Sequence, residues 1–238
     1  GQIQIDTLMI DTLSQDLKKL LETTVIDNVL VLGTDLKPDN IRFINDKIKH
    51  VVFVDTYYDD VNADFVTMNN FQGTYMAANY IIKKGYKKIG YAASNKLISN
   101  FTERRRGFRQ ALNEHAMSVP VKYFYSIDPT KLTPDSKIGE FDTNDLPDII
   151  FCEDDYMALR LMKEFIRKGL SIPNDIAIMG FDDIYEGVLV TPELTTIHVP
   201  IDQIVNQVIL QLQGQVADTN WEPQKCLVST RLVERESM

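Results

Sequence analysis

The sequence predicts an α/β fold built on a mostly parallel sheet covered by helices. Two observations carry this: short strands that are apolar on both faces, and amphipathic helical stretches that alternate with them. The chain has 238 residues, 44% of them hydrophobic, enough to bury a core in one large domain or two smaller ones.

The elements follow in order. "SQDLKKLLE" has helical spacing, with Leu17, Leu20 and Leu21 on one side and Ser14 as a cap. "NVLVLG" at 28–33 and "VVFVD" at 51–55 are expected as buried strands. In "NFQGTYMAANYIIKKG" the spacing puts Phe71, Tyr75, Ala78 and Ile82 on one helical face, and Gly85 ends the helix. "KKIGYAAS" is a strand, "FTERRRGFRQALNEH" a helix, and "VKYFY" and "DIIFC" are strands. In "DYMALRLMKEFIRKG" the inward face is Ala158, Leu161, Met162 and Phe165, with Arg160, Lys163, Glu164 and Arg167 facing out. "DIAIMGF" and "TTIHV" are further strands, and "IDQIVNQVILQL" sets Ile201, Ile204, Val205, Val208 and Leu212 along a stripe. Residues 126–147 resist assignment, because Pro129, Pro134, Gly139 and Pro147 interrupt any helix, although Leu132, Ile138 and Phe141 are expected to pack.

Composition bounds the function. No apolar run approaches the roughly 20 residues of a membrane span, so no membrane partner is expected. A net charge of −9 and a pI near 4.9 oppose contact with phosphate backbones, so any DNA contact must come from another segment. Cys152 and Cys226 lie far apart without a CxxC partner. Free thiols in a reducing, cytoplasmic setting are expected, with no metal site and no cofactor.

In open α/β sheets ligands bind beyond the carboxyl ends of the strands. The polar residues there are Asp55 after "VVFV", Glu153, Asp154 and Asp155 after "IIFC", and Asp182 and Asp183 after "IMGF". Three uses compete. Each aspartate can cap the following helix or turn. The cluster can hold magnesium for a hydrolase, although no GxxxxGK[ST] loop accompanies it. Or an aspartate and an arginine from "TERRRGFRQAL" can bind vicinal sugar hydroxyls through matching forks. Arg104, Arg105 and Arg106 cannot all face one way, and a solvated helix face is the default for each. His50, His115 and His198 are scattered and no GxSxG elbow occurs, so nucleophilic catalysis has no support and no enzyme is expected.

Four separated motifs occur together: "VTMNNFQGTYMAANYIIKKGYKKIGYAAS", "ERRRGFRQAL", "PDIIFCEDDYMALRLMKEFIRKGLSIPNDIAIMGFDD" and "PELTTIHVPI". Their order resembles the effector-binding core of the lac repressor and gal repressor family, from about residue 28 to the end. The resemblance implies two Rossmann-like subdomains of the periplasmic sugar-binding type with a ligand cleft between them, residues 1–66 with 199–226 and residues 67–198 with 227–238. It implies a cytoplasmic homodimeric transcription regulator, a repressor that binds a small sugar or sugar phosphate as effector. Operator DNA would be bound only through an N-terminal helix-turn-helix that these residues lack. The family's first strand and helix are also not found in this sequence; a core without them would expose apolar sheet, so a longer native domain is expected. An extracytoplasmic solute-binding protein of a sugar transporter shares the fold and is the alternative.

Residue by residue, the resemblance implies ligand roles for Asp55, for Arg104 in R-x-x-G-F, for Asp154 where the family has Asn, and for Asp182 in G-F-D-D. Asp155 and Asp183 are left to cap or pack. Asn69 replaces the family's Asp, Val199 stands where many members have a ligand-contacting Gln, and the sugar-stacking aromatic near Pro129 is missing. Tyr57, Phe101 or Phe124 are the candidates for an aromatic wall instead.

Overall fold

The computed structural model describes residues 27–128 and 141–238. The helix expected from Ser14 and the 129–140 part of the unassigned stretch lie outside the described residues. The chain divides into two compact units, Gly1–Thr67 with Asp202–Cys226, and Met68–Ile201 with Leu227–Met238.

In the first unit a sheet runs in the order β1 (Asn28–Leu32), β2 (His50–Val54), β3 (Asp64–Met68), β9 (Lys225–Val228). β1 pairs with β2 and β2 with β3, both parallel. Helix α1 (Pro38–Lys47) returns the chain from β1 to β2; Pro38 sits in its first turn, where a missing N–H costs nothing. It buries Ile41 and Ile44 against Val51, Phe53, Val61 and Phe65. β1 is not the buried strand expected from "NVLVLG". It lies at one end of the described sheet and Leu32 is 80% exposed. Helix α5 (Ile201–Ala217) also departs from its expected stripe. It buries Ile204, Val208 and Gln211, while Ile201 and Val205 are exposed. Asp64 ties this unit together, accepting hydrogen bonds from Trp221 Nε1 at 3.0 Å, Gln215 Nε2 at 3.1 Å and the Gln224 amide at 3.0 Å. Burial pushes its carboxyl above the ordinary range, against the pull of these donors.

The second unit holds a parallel sheet in the order β5 (Phe124–Ile127), β4 (Ile89–Ser94), β6 (Ile149–Cys152), β7 (Ala177–Met179). An antiparallel ribbon, β8 (Thr196–His198) with β10 (Arg231–Val233), accompanies it. "TTIHV" therefore pairs antiparallel with β10 and meets the parallel sheet only through isolated parallel bridges, Met179 with Thr195 and Asp182 with His198. Helix α2 (Asn70–Lys83) is capped by Asn69, whose Oδ1 accepts from the Gln72 amide at 3.0 Å. Its buried face is Gly73, Thr74, Ala77, Ala78 and Ile81, one position off the expected face; Phe71 and Tyr75 are only half-buried and stack on each other. The reason is α3 (Ser99–Glu114). Its Gly107 comes so close that a Cβ there would stand 2.2 Å from the Phe71 carbonyl oxygen, so small residues must face it.

Helix α4 (Asp155–Arg167) buries Ala158, Leu161, Met162 and Phe165 as expected, and also Arg160, which was expected to face solvent. Phe141 closes the core beside Phe165, with ring centroids 5.0 Å apart. Cys152 and Cys226 are free thiols. No helix among the described residues is long and apolar enough to cross a membrane.

Candidate functional site

The strand order fixes where a site can form in the second unit. The chain leaves β4 for β5 on one side and returns to β6 on the other, so the crossovers diverge at the carboxyl ends of β4 and β6. A crevice opens at such a point. Arg104 reaches this place from α3. It is only 4% exposed, which corrects the expectation of a solvated side chain. Arg104 Nε donates to Asn70 Oδ1 at 2.8 Å, Nη1 to the Glu153 carbonyl, and Nη2 to Asp182 Oδ1 at 3.0 Å. Its guanidinium also lies over the Phe181 ring, 3.7 Å from the centroid, and 5.6 Å from that of Phe101. Such contacts add a cation–π attraction in a desolvated place.

Asp182 is held in an uncommon conformation. Its φ is 126° and that of Asp183 is 61°, both in the region that favours glycine. Two successive strained residues persist only where the surroundings over-determine them, and such residues gather at functional sites. The hydrogen bonds from the Asp182 amide to the Ile197 carbonyl, 2.9 Å, and from the Val199 amide to the Asp182 carbonyl, 3.4 Å, clamp the turn. Although 31% of its side chain is accessible, the carboxyl lies deep among protein atoms, and burial pushes it up to about 7. Arg104 pulls it down while Asp155 and Asp154 push it further up.

The paired aspartates have divided tasks. Asp154 caps α4, its Oδ1 accepting from the Met157 amide at 2.7 Å; burial raises its carboxyl and Arg104 lowers it. Asp155 is fully buried and braces the turn after β7, taking Thr196 Oγ1 at 2.6 Å and the Ile184 amide at 3.0 Å. Burial pushes it up to about 6. Gly180 makes room for it, since a Cβ there would stand 2.0 Å from Asp155 Oδ1. Asp183, left by the sequence to cap or pack, joins side chains: Arg235 Nη2 donates to it at 2.5 Å, and His198 Nδ1 lies 2.8 Å away. Burial opposes its charge, yet these two partners hold it below the ordinary carboxylate range.

The second unit thus brings together Arg104, Asp182 and Phe101, with Asp154 close enough to feel the arginine and Val199 hydrogen-bonded to the strained turn. Phe124 falls elsewhere. It opens β5, three residues before the strand's carboxyl end, and its ring stacks on Tyr91 at 5.8 Å. Asp55 and Tyr57 belong to the first unit. Asp55 follows β2 with φ 59° and accepts from Thr34 Oγ1; Tyr57 lies edge-on to Phe65 and donates to Asp59. Sequence reasoning missed Asn70, Phe181 and Glu153 as partners of Arg104. Only the adjoining "NN" and "GF" signals could have drawn attention to the first two.

A model of the periplasmic binding protein-like domain matches residues 78–238. The chain belongs to this family. It is 30% identical to the HTH-type transcriptional repressor PurR of Actinobacillus pleuropneumoniae, over 90% of this chain and 64% of that protein. It is 29% identical to the repressor of the same name from Klebsiella pneumoniae, over 98% and 71%. The chain thus spans about two thirds of the length of these relatives. Among solved structures, a sugar-binding transcriptional regulator of the LacI family from Escherichia coli, complexed with phosphate, matches with a TM-score of 0.78 at 20% identity over 94% of this chain and 81% of that one. A LacI family regulator from Lactobacillus casei with bound sucrose matches with a TM-score of 0.75 at 20% identity, over 94% and 83%. At these identities the two structures bear on the fold alone. The likeness to the effector-binding core of the lac and gal repressor family, and the α/β class with its parallel sheets, are borne out.

Proposed function

We propose that this chain is the effector-sensing part of a DNA-binding transcription regulator, a repressor, and that it binds a small carbohydrate or sugar phosphate through Asp182, Arg104 and Asp154. The carrying observation is the single hydrogen bond from Arg104 Nη2 to Asp182 Oδ1, a buried guanidinium paired with a reachable carboxylate on a strained turn. Asp182 keeps acceptor capacity beyond the bond it takes from Arg104, so it can accept from a sugar hydroxyl while the guanidinium fixes its orientation. Each such bond is worth roughly 1.5–3 kcal/mol. Phe181, 0% exposed, and Phe101, 8% exposed, back the guanidinium and help to hold it in place. Asp55, which follows its own strand in the first unit, is a further acceptor in this reading.

The relatives' printed name, transcriptional repressor of the HTH type, supports a helix-turn-helix outside these residues as the operator-binding part, and the net charge of −9 fits that division. A cytoplasmic homodimer whose DNA affinity the effector shifts completes the proposal; the effector then needs unequal affinity for two arrangements. Calorimetric titration with a panel of monosaccharides, disaccharides and sugar phosphates tests it. Binding by at least one, lost in Asp182→Ala, is expected, and silence across the whole panel refutes sugar sensing.

A further inference from the structure

Glu153 stands at the carboxyl end of β6, where the sheet's crossovers diverge, and is 0% exposed. Every donor around it is aimed. Its carboxylate accepts from Tyr91 Oη at 3.0 Å, the Ser94 amide at 2.6 Å, Arg105 Nε at 2.5 Å and Arg105 Nη2 at 2.9 Å, while its carbonyl accepts from Arg104 Nη1. Arg105 Nη2 also donates to the Ser94 carbonyl at 2.5 Å, which joins α3 to the end of β4. Two successive arginines of one helix therefore grip one residue from two sides, Arg104 by its main chain and Arg105 by its side chain.

Successive helical residues project about 100° apart, so gripping both fixes the rotation of α3 about its axis. Stability alone would be served as well or better by apolar residues, because a buried ion pair rarely repays its desolvation against a packed apolar alternative. A bidentate arginine, by contrast, supplies directional constraint that an apolar contact lacks. We propose that Glu153 and Arg105 are positioning residues that hold the Arg104 guanidinium against Asp182. The pair touches no ligand; it acts through Arg104, and its bearing on effector binding rests on the function proposed above.

Nuclear magnetic resonance on the labelled full chain tests this without any effector. The groups that act on Asp182 are Arg104, Asp155 and Asp154, so its carboxyl carbon reports where Arg104 sits. Arg105→Lys keeps the charge and loses the fork. In this variant the Asp182 midpoint is expected to rise by about half a pH unit, and the Arg104 Nε–H signal to broaden. Arg105→Leu should give the larger change, and if it fails to fold Arg105→Lys carries the test. Arg106→Ala, on the exposed side of the same helix, should move neither signal. An unchanged midpoint and an unchanged Arg104 signal in Arg105→Lys, whatever happens to thermal stability, would overturn the proposal and leave a merely structural ion pair. A chain that binds no sugar but shows the shift would refute the sensing role and leave the positioning role standing.

Discussion

Arg104 donates to Asp182 at 3.0 Å, and the two partners are unequally sheltered: the guanidinium is 4% exposed and the carboxylate 31%. The arginine's other donors lie on Asn70 and Glu153. The aspartate is the more reachable of the two. Its backbone pays for that placement with φ 126°.

Asp182→Gly and Asp182→Ala should therefore differ in stability while failing alike in binding. Both lose the carboxylate. Only glycine adopts the positive φ freely, so the glycine variant should be more stable than the alanine variant by about 1 kcal/mol in urea unfolding. Equal stabilities would mean that the turn relaxes without cost.

Stability should respond to pH with a definite sign. Asp182 and Asp155 are pushed up to about 7 and about 6, from 3.8. Between pH 4 and 7 the folded chain therefore binds more of these protons than the unfolded chain, and their contribution to stability falls as pH rises. In Asp182→Asn the loss of stability between pH 5 and about 7.5 should be smaller than in the unaltered chain. Parallel pH profiles for the two would contradict the raised carboxyl.

The approach of α2 to α3 is set by one hydrogen atom. Gly107→Ala puts a methyl 2.2 Å from the Phe71 carbonyl oxygen and 2.5 Å from Thr74 Oγ1, and neither the backbone nor a buried threonine yields easily. A loss of about 3 kcal/mol is expected, together with a displaced Arg104 three residues away.

How far the sequence could be read follows from these residues. Asp182 was legible because a strand apolar on both faces can end in a carboxylate only where it emerges. The burial of Arg104 and Arg105 was not: three arginines in a row look like a solvated face, and only Glu153 and Asp182, separated from them by 48 and 78 positions, draw two of them inward. Glu153 looked like one more member of an acidic cluster, since alternation past a strand's end cannot tell which of three carboxylates turns inward. The helix α1 escaped notice because its polar sequence buries only Ile41 and Ile44, and β3 because a strand opening on Asp64 looks like loop until Trp221 and Gln215 are seen to satisfy it. The buried face of α2 was misjudged by one position because Gly107 of a different helix chose it.

That same Asp64 makes a test of the first unit. Asp64→Ala removes an acceptor of four hydrogen bonds from three residues and should cost about 3 kcal/mol. Trp221→Phe removes the Nε1–H donor and part of the ring that packs against Gly214, and should cost about 2 kcal/mol. Guanidinium unfolding followed by far-ultraviolet circular dichroism measures both, and a neutral Asp64→Ala would show that these bonds are made equally well to water.

The most direct measurement of the central claim is calorimetric titration of the unaltered chain and of Asp182→Ala with the same panel of neutral sugars and sugar phosphates. Heat from at least one of them is expected with the unaltered chain, and an affinity weaker by roughly a hundredfold or more in the folded variant, because charge-assisted bonds to a ligand are lost. No heat from any sugar, or undiminished affinity in a variant that still folds, would contradict it.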